Sequence, residues 1–215
     1  MPVVGSSVST AIDLTVGGSG HSPGIPSLTT HDKDQDDTAD DLGTQVLDIF
    51  AEPPSNRVVA VVHSIPVSVN DMHRLLPGRL VNDQIINAQC QLIQARDDAM
   101  CINDSTRSPI HVFNSFFLSK LEDNNYGFVN LRRWTRSFVL SQQRMMFMPF
   151  NKDGSHWALV VVNLPGREIT YYDSLHYSGA AIIGSVLGWV VIAFEHNYGV
   201  HVDVRDWQLT EMSVP

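Results

Sequence analysis

Ser155-His156-Trp157-Ala158-Leu159-Val160-Val161-Val162-Asn163, then Leu164-Pro165-Gly166-Arg167, then Glu168-Ile169-Thr170-Tyr171-Tyr172-Asp173 is the stretch on which the fold turns. Two runs rich in β-branched and aromatic residues flank a Pro-Gly pair, the residues a tight reversal wants, so 157–163 and 168–173 read as hairpin strands. If Leu164 and Arg167 flank a two-residue loop, Asp173 lies opposite Ala158. His156 then shares a face with Asp173 and sits diagonal to it, roughly 7–8 Å away between backbones. A carboxylate in that position fixes the tautomer of an imidazole and stabilises its cation, which is the base half of a nucleophilic triad. A slip of one residue would place the two on opposite faces. On pattern alone a structural hydrogen bond outweighs the catalytic reading, because the chain holds nine histidines. No metal site is expected, since His201-Val202-Asp203 offers two ligands and no third.

Outward from the hairpin, 145–149 reads as a preceding strand. A helix over 179–197 and an extended piece over 201–207 follow it. Upstream, Asn82 or Asp83 can cap a helix through Arg96, with Ile86, Cys90 and Ile93 on one face. Residues 112–121, with Phe113, Phe116 and Phe117, read as a second helix, and 129–136 as a short third. Residues 58–62 form a β-branched run, and 66–69 a second extended piece. Helices gathered before and after a run of strands imply an α+β domain.

The formal net charge of -9 is unevenly placed. Residues 1–50 hold Asp13, Asp32, Asp34, Asp36, Asp37, Asp40, Asp41 and Asp48 against Lys33 alone. Residues 1–43 are rich in Ser, Thr, Gly and Asp and too poor in apolar residues to offset conformational entropy, so they are expected to form a disordered tail. Residues 44–56, with a possible helix over 45–51 and then Pro53-Pro54, read as a linker, and 57–215 as the folded domain. Arg132-Arg133 beside Trp134 is too short for the basic stripe that nucleic acid requires. Two cysteines, Cys90 and Cys101, make no disulfide framework and imply a reducing compartment. The first residues lack a secretory pattern, and the apolar stretch 180–194 is broken by Gly184, Ser185 and Gly188. These features predict an intracellular protein, monomeric, with no cofactor and no membrane partner.

Five blocks, in order, resemble one family: Val81-Asn82-Asp83-Gln84-Ile85-Ile86, Phe113-Asn114-Ser115-Phe116-Phe117, Arg132-Arg133-Trp134-Thr135, the segment 155–161, and Ile169-Thr170-Tyr171-Tyr172-Asp173-Ser174-Leu175. The family is the ubiquitin-like-protein-specific (SUMO or sentrin type) cysteine proteases, and the resemblance covers about residues 57–215. It implies a papain-like fold of the ubiquitin-like protease type, with helices packed around a small mixed sheet. It also implies hydrolysis after the Gly-Gly terminus of a SUMO-like protein, in deconjugation or precursor processing, in the nucleus or cytoplasm. By the same resemblance, His156 is the general base, Asp173 its orienting partner, and Trp157 one wall of the channel that admits the Gly-Gly tail. Leu80 stands where the family usually has the tryptophan of the opposite wall. The family's oxyanion glutamine and its Asp-Cys-Gly nucleophile have no counterpart in these 215 residues. The expectation is therefore a catalytic domain truncated before its Cys-bearing segment and poorly soluble. Its base lacks a nucleophile, because Cys90 belongs to a packed helix face and Cys101 has no adjacent cation. The resemblance also allows a non-catalytic module that docks a SUMO-like protein.

Overall fold

The computed structural model describes residues 12–13, 34–123 and 130–213, and the chain divides into two compact units, 1–88 and 89–215.

In the first unit, β1 (Ile12–Asp13), β2 (Val58–Val62) and β3 (Ile65–Ser68) form a three-stranded sheet in that order. β1 runs parallel to β2, and β2 antiparallel to β3. Helix α1 (Asp34–Ala51) precedes β2. The expected disordered tail therefore gives way to helix at Asp34, and the expected helix over 45–51 is its second half. The rest of that tail, apart from 12–13, lies outside the described residues.

Ser68 closes β3 and opens α2 (Val69–Met72) through a capping box: its hydroxyl accepts from Asp71 N–H, and Asp71 accepts from Ser68 N–H at 2.8 Å. The other Asp71 oxygen accepts from Asn82 Nδ2 at 2.7 Å, and Asn82 Oδ1 accepts from Ile85 N–H at 3.2 Å. Asn82 is thus the N-cap of α3 (Asp83–Asn103), which runs beyond the expected end at Arg96. Burial acts to raise the Asp71 pKa, but hydrogen bonds from Ser68 and Asn82 and the charge of Arg74 outweigh it and hold the carboxyl below its usual value. Val62, Val67 and Ala88 form the small core of this unit.

The second unit is built on a five-stranded mixed sheet with strands β4 (Ile110–Val112), β5 (Met145–Lys152), β6 (His156–Asn163), β7 (Glu168–Asp173) and β8 (Gln208–Ser213), in sequence order across the sheet. The central three are antiparallel, and both edge strands pair parallel to their neighbours. Helix α4 (Phe117–Leu121) follows β4, and α5 (Ala180–Tyr198) connects β7 to β8. Helices around a mixed sheet make this an α+β fold.

Several expectations change. Residues 110–112, partly read as helix, form β4, and only 117–121 are α4. Of the expected helix over 129–136, Arg132–Thr135 is a 3-10 turn, and residue 129 lies outside the described residues. The expected strand over 201–207 is a loop with a 3-10 turn at Val204–Asp206, because Asp203 accepts from Arg205 N–H and caps that turn. The last strand is Gln208–Ser213 instead.

Phe113, Phe117 and Trp189 pack edge-on and stacked, with centroids 4.1–5.8 Å apart, and join α4 and α5 to the sheet. Ile182, Ile183, Val186, Trp189, Val190 and Ala193 of α5 are buried against Met146, Met148, Val160, Val162 and Ile169. Each valine, isoleucine or methionine among them contributes about 1.5–3 kcal/mol on leaving water. α5 matches the expected helix over 179–197 within one residue at each end, and its 19 residues are, by length and composition only, long and apolar enough to cross a membrane. Its face in this core accounts for the apolar pattern without one. Gly199 ends α5 in the left-handed region (φ 65°), and its N–H returns to Glu195 C=O.

Candidate active site

The hairpin register places the site. Leu159 pairs with Tyr172 and Asn163 with Glu168, and the turn closes with Arg167 N–H donating to Leu164 C=O at 3.2 Å. This is the register expected from the Pro-Gly loop, and one step further along it Asp173 stands opposite Ala158. At the other end of β6 the chain reverses through Asp153 (φ 55°) and Gly154 (φ 77°), and Lys152 pairs with His156. Asp-Gly suits these positive φ values, because glycine carries no Cβ and Asp tolerates the left-handed region. His156 is therefore the first residue of β6, held between a tight turn and a buried strand.

His156 Nε2 donates to Asp173 Oδ1 at 2.8 Å. Asp173 is 1% exposed and accepts two further hydrogen bonds, from Tyr171 Oη to Oδ2 at 2.6 Å and from Leu175 N–H to Oδ1 at 2.6 Å. Burial acts to raise the Asp173 pKa. The donors Tyr171, Leu175 and His156 outweigh that and hold it below the usual carboxylate value. An ionised carboxylate only accepts, so the proton shared with His156 belongs to Nε2. The neutral ring then presents the lone pair of Nδ1, which is the atom able to take a proton from a nucleophile. Burial, reinforced by the Asp173 carboxylate, raises the phenol pKa of Tyr171 well above its ordinary value, so Tyr171 stays a donor. The exposed ring of Tyr177 meets the imidazole edge-on at 5.7 Å, and Lys152 Nζ lies 4.7 Å over that same ring.

The other candidates fall elsewhere. Trp157 is half-buried, one residue along β6 and opposite Asn151. Leu80 is 61% exposed in the segment before α3 and belongs to the first unit. Cys90 is buried in α3, and burial pushes its thiol up to about 11. Cys101 is raised by burial and by Asp97, to whose carboxylate its thiol donates at 3.7 Å. Both thiols are raised and so stay protonated at neutral pH, and among the described residues the His156 ring meets Asp173 and Tyr177. Among the described residues no group of three His, Cys, Asp or Glu side chains has the arrangement of a metal site.

Sequence reasoning overlooked Tyr171 and Tyr177. The alternation of a strand puts Tyr171 on the face of Asp173, so its hydroxyl was within reach of inference. Tyr177 lies in a loop whose His176 has a positive φ of 58°, and nothing in the local sequence announces where that loop turns.

Comparison with known proteins identifies the family to which this fold belongs. Residues 79–214 match the family described as "Ulp1 protease family, C-terminal catalytic domain". The ubiquitin-like-specific protease ESD4 of Arabidopsis thaliana is 28% identical over 168 residues, covering 72% of this chain and 32% of that protein. Human sentrin-specific protease 2 is 26% identical over 169 residues, covering 78% of this chain and 27% of that protein. The chain thus spans about a third or less of the length of these relatives. Among solved structures, the C-terminal Ulp1 protease domain in complex with Smt3, the yeast ortholog of SUMO, superposes with a TM-score of 0.62 at 28% identity, covering 88% of this chain and 78% of that one. A SUMO protease Ulp1 with its catalytic cysteine oxidised to a sulfinic acid gives 0.62 at 26% identity, with 89% and 76% covered. On these matches the chain belongs to the Ulp1 protease family of cysteine peptidases and carries the fold of its C-terminal catalytic domain.

Proposed function

We propose that this chain carries the base half of a thiol peptidase site that cleaves after the Gly-Gly terminus of a SUMO-like protein. The observation that carries the reading is the 2.8 Å bond from His156 Nε2 to a buried, ionised Asp173. In this reading His156 Nδ1 takes the proton of a cysteine thiol, and the thiolate adds to the carbonyl carbon of the terminal glycine. His156 then gives that proton to the departing amine, and water releases the thioester. Asp173 holds the imidazole in the competent tautomer throughout. Trp157, half-buried beside His156 on β6, is a wall of the Gly-Gly channel in this reading. The thiol is neither Cys90 nor Cys101, whose protonated states and surroundings suit a structural role.

The substrate class rests on the family and on the Smt3 complex of the similar Ulp1 domain. The test uses a SUMO protein extended by a fluorogenic amide after Gly-Gly. The 215-residue chain is expected to bind SUMO, more weakly after Trp157→Ala, and to release no fluorophore. Turnover by this chain overturns the exclusion of Cys90 and Cys101, and absence of SUMO binding overturns the substrate class.

A second reading of the same family surface is a SUMO-docking module without turnover. A SUMO protein ending in an electrophilic vinyl sulfone separates the two when applied to the protein from its source cells. Covalent capture identifies the peptidase, and reversible binding alone identifies the module.

A further inference from the structure

We infer that Tyr171 is a positioning residue for the base: it acts through Asp173 to hold His156 in the tautomer that leaves Nδ1 free. The inference rests on the reading of His156 and Asp173 given above. Three observations carry it. The Tyr171 hydroxyl donates to Asp173 Oδ2 at 2.6 Å, while His156 and Leu175 N–H both occupy Oδ1. The two oxygens are thereby distinguished, and rotation of the carboxylate would break the phenol bond and both Oδ1 bonds together. Tyr171 itself is fixed, being 1% exposed and tilted against Phe150 at 6.3 Å. Gly179 also crowds it, since a Cβ there would come within 2.3 Å of the Tyr171 ring. The donor is therefore held by packing, which is what orienting a carboxylate requires. Finally, Tyr171 and Asp173 are two apart on one strand, so the pleat aims both side chains to the same face.

Tyr171→Phe removes the hydroxyl and keeps the ring. The carboxylate can then turn, the Nε2–H to Oδ1 bond is populated less, and the Nδ1–H tautomer, which cannot accept a proton from a thiol, gains population. Nitrogen-15 NMR of the 215-residue chain above neutral pH, with His156 assigned by comparison with His156→Gln, reads that ratio directly. The ratio of Nε2–H to Nδ1–H tautomer is expected to fall about fivefold, the factor set by one hydrogen bond's net contribution. A residue that only packs the core would lower the melting temperature and leave the ratio alone. Asp173→Asn serves as the reference. If it shifts the ratio and Tyr171→Phe, still folded, does not, the role of Tyr171 is overturned while the pair stands. If neither moves it, the reading of the pair fails as well. Incorporation of 3-fluorotyrosine at position 171 covers the case in which Tyr171→Phe does not fold. Its more acidic hydroxyl draws charge from Asp173, so the Nε2–H proton resonance of His156 is expected to move upfield. An unmoved resonance overturns the coupling.

Discussion

Replacing Asp97 with alanine is expected to cost the second unit about 3 kcal/mol. Asp97 is 3% exposed on α3 and accepts from Ile110 N–H at 2.8 Å, from Arg107 Nε at 3.1 Å and from Arg107 Nη2 at 2.7 Å. It therefore ties the C-terminal half of α3 to the start of β4. Alanine leaves the buried Ile110 N–H without an acceptor, which costs about 1–3 kcal/mol. The Arg107 pair adds about 1 kcal/mol, because the guanidinium side chain keeps a third of its surface in water and regains hydration. For a unit of about 130 residues the entropy of unfolding is about 0.27 kcal/mol per degree, so Tm should fall by about 10 °C. Differential scanning calorimetry of Asp97→Ala and Asp97→Asn beside the parent chain measures it. Asparagine keeps an oxygen for Ile110 N–H, so its loss should be about half that of alanine. Equal losses for the two variants would refute the assignment of most of the cost to the backbone donor, and a loss below about 2 °C would refute the tie itself. The Asp97 pKa is lowered despite burial, which acts against it, because Ile110 N–H and Arg107 stabilise the anion. A lowered carboxylate contributes stability that is present above its unfolded value of about 3.9 and lost as pH falls through the folded one. The gap between parent and Asp97→Ala should accordingly narrow below about pH 4.

Other outcomes are equally definite. Burial pushes His111 down to about 4, where its ring stacks on Phe138 at 3.7 Å, so its contribution is complete above about pH 6.5 and is lost as pH falls toward 4. His111→Phe should flatten the urea midpoint between pH 7 and 4.5, removing on the order of 2 kcal/mol of dependence, and an unchanged slope would contradict the assignment. With both thiols raised, iodoacetamide at pH 7.5 should modify the native chain slowly, Cys101 before the buried Cys90, as followed by intact mass. Rapid reaction at Cys90 would show that its helix face is not packed. Gly179→Ala should destabilise by about 1–3 kcal/mol by driving a methyl into the Tyr171 ring, and a neutral melting shift would mean that the ring yields.

The parts of the fold legible in sequence are those whose partners lie close along the chain. The Pro-Gly loop sets the register of β6 and β7, and with it the His156 and Asp173 pairing, since two residues of turn leave one alternation that buries the apolar face. Asn82 announces α3 through its own capping chemistry. The parallel edge strands are not legible in this way. Residues Ile110–Val112 adjoin an aromatic run that fits a helix as well, and what makes them a strand is β5, more than thirty residues downstream. Gln208–Ser213 carries no apolar alternation and has no buried residue, so only its pairing with β7 defines it. Val200, Val202 and Val204 mimic a strand pattern, and the Asp203 cap overrides it.

The hairpin that holds His156 and Asp173 also bears on the order of assembly. The two residues are seventeen apart, and the loop that joins them closes at little entropic cost. β8, by contrast, reaches its place only after the 19 residues of α5 have crossed over, and it pairs on one side alone. A chain folding by local contacts first forms β5, β6 and β7 as one cooperative block and adds β8 late. Amides of β6 and β7 should then be the slowest to exchange with deuterium and those of β8 among the fastest. The imidazole and its carboxylate would meet early in folding and part last in unfolding, so the His156–Asp173 pair is assembled before the edge of its own sheet.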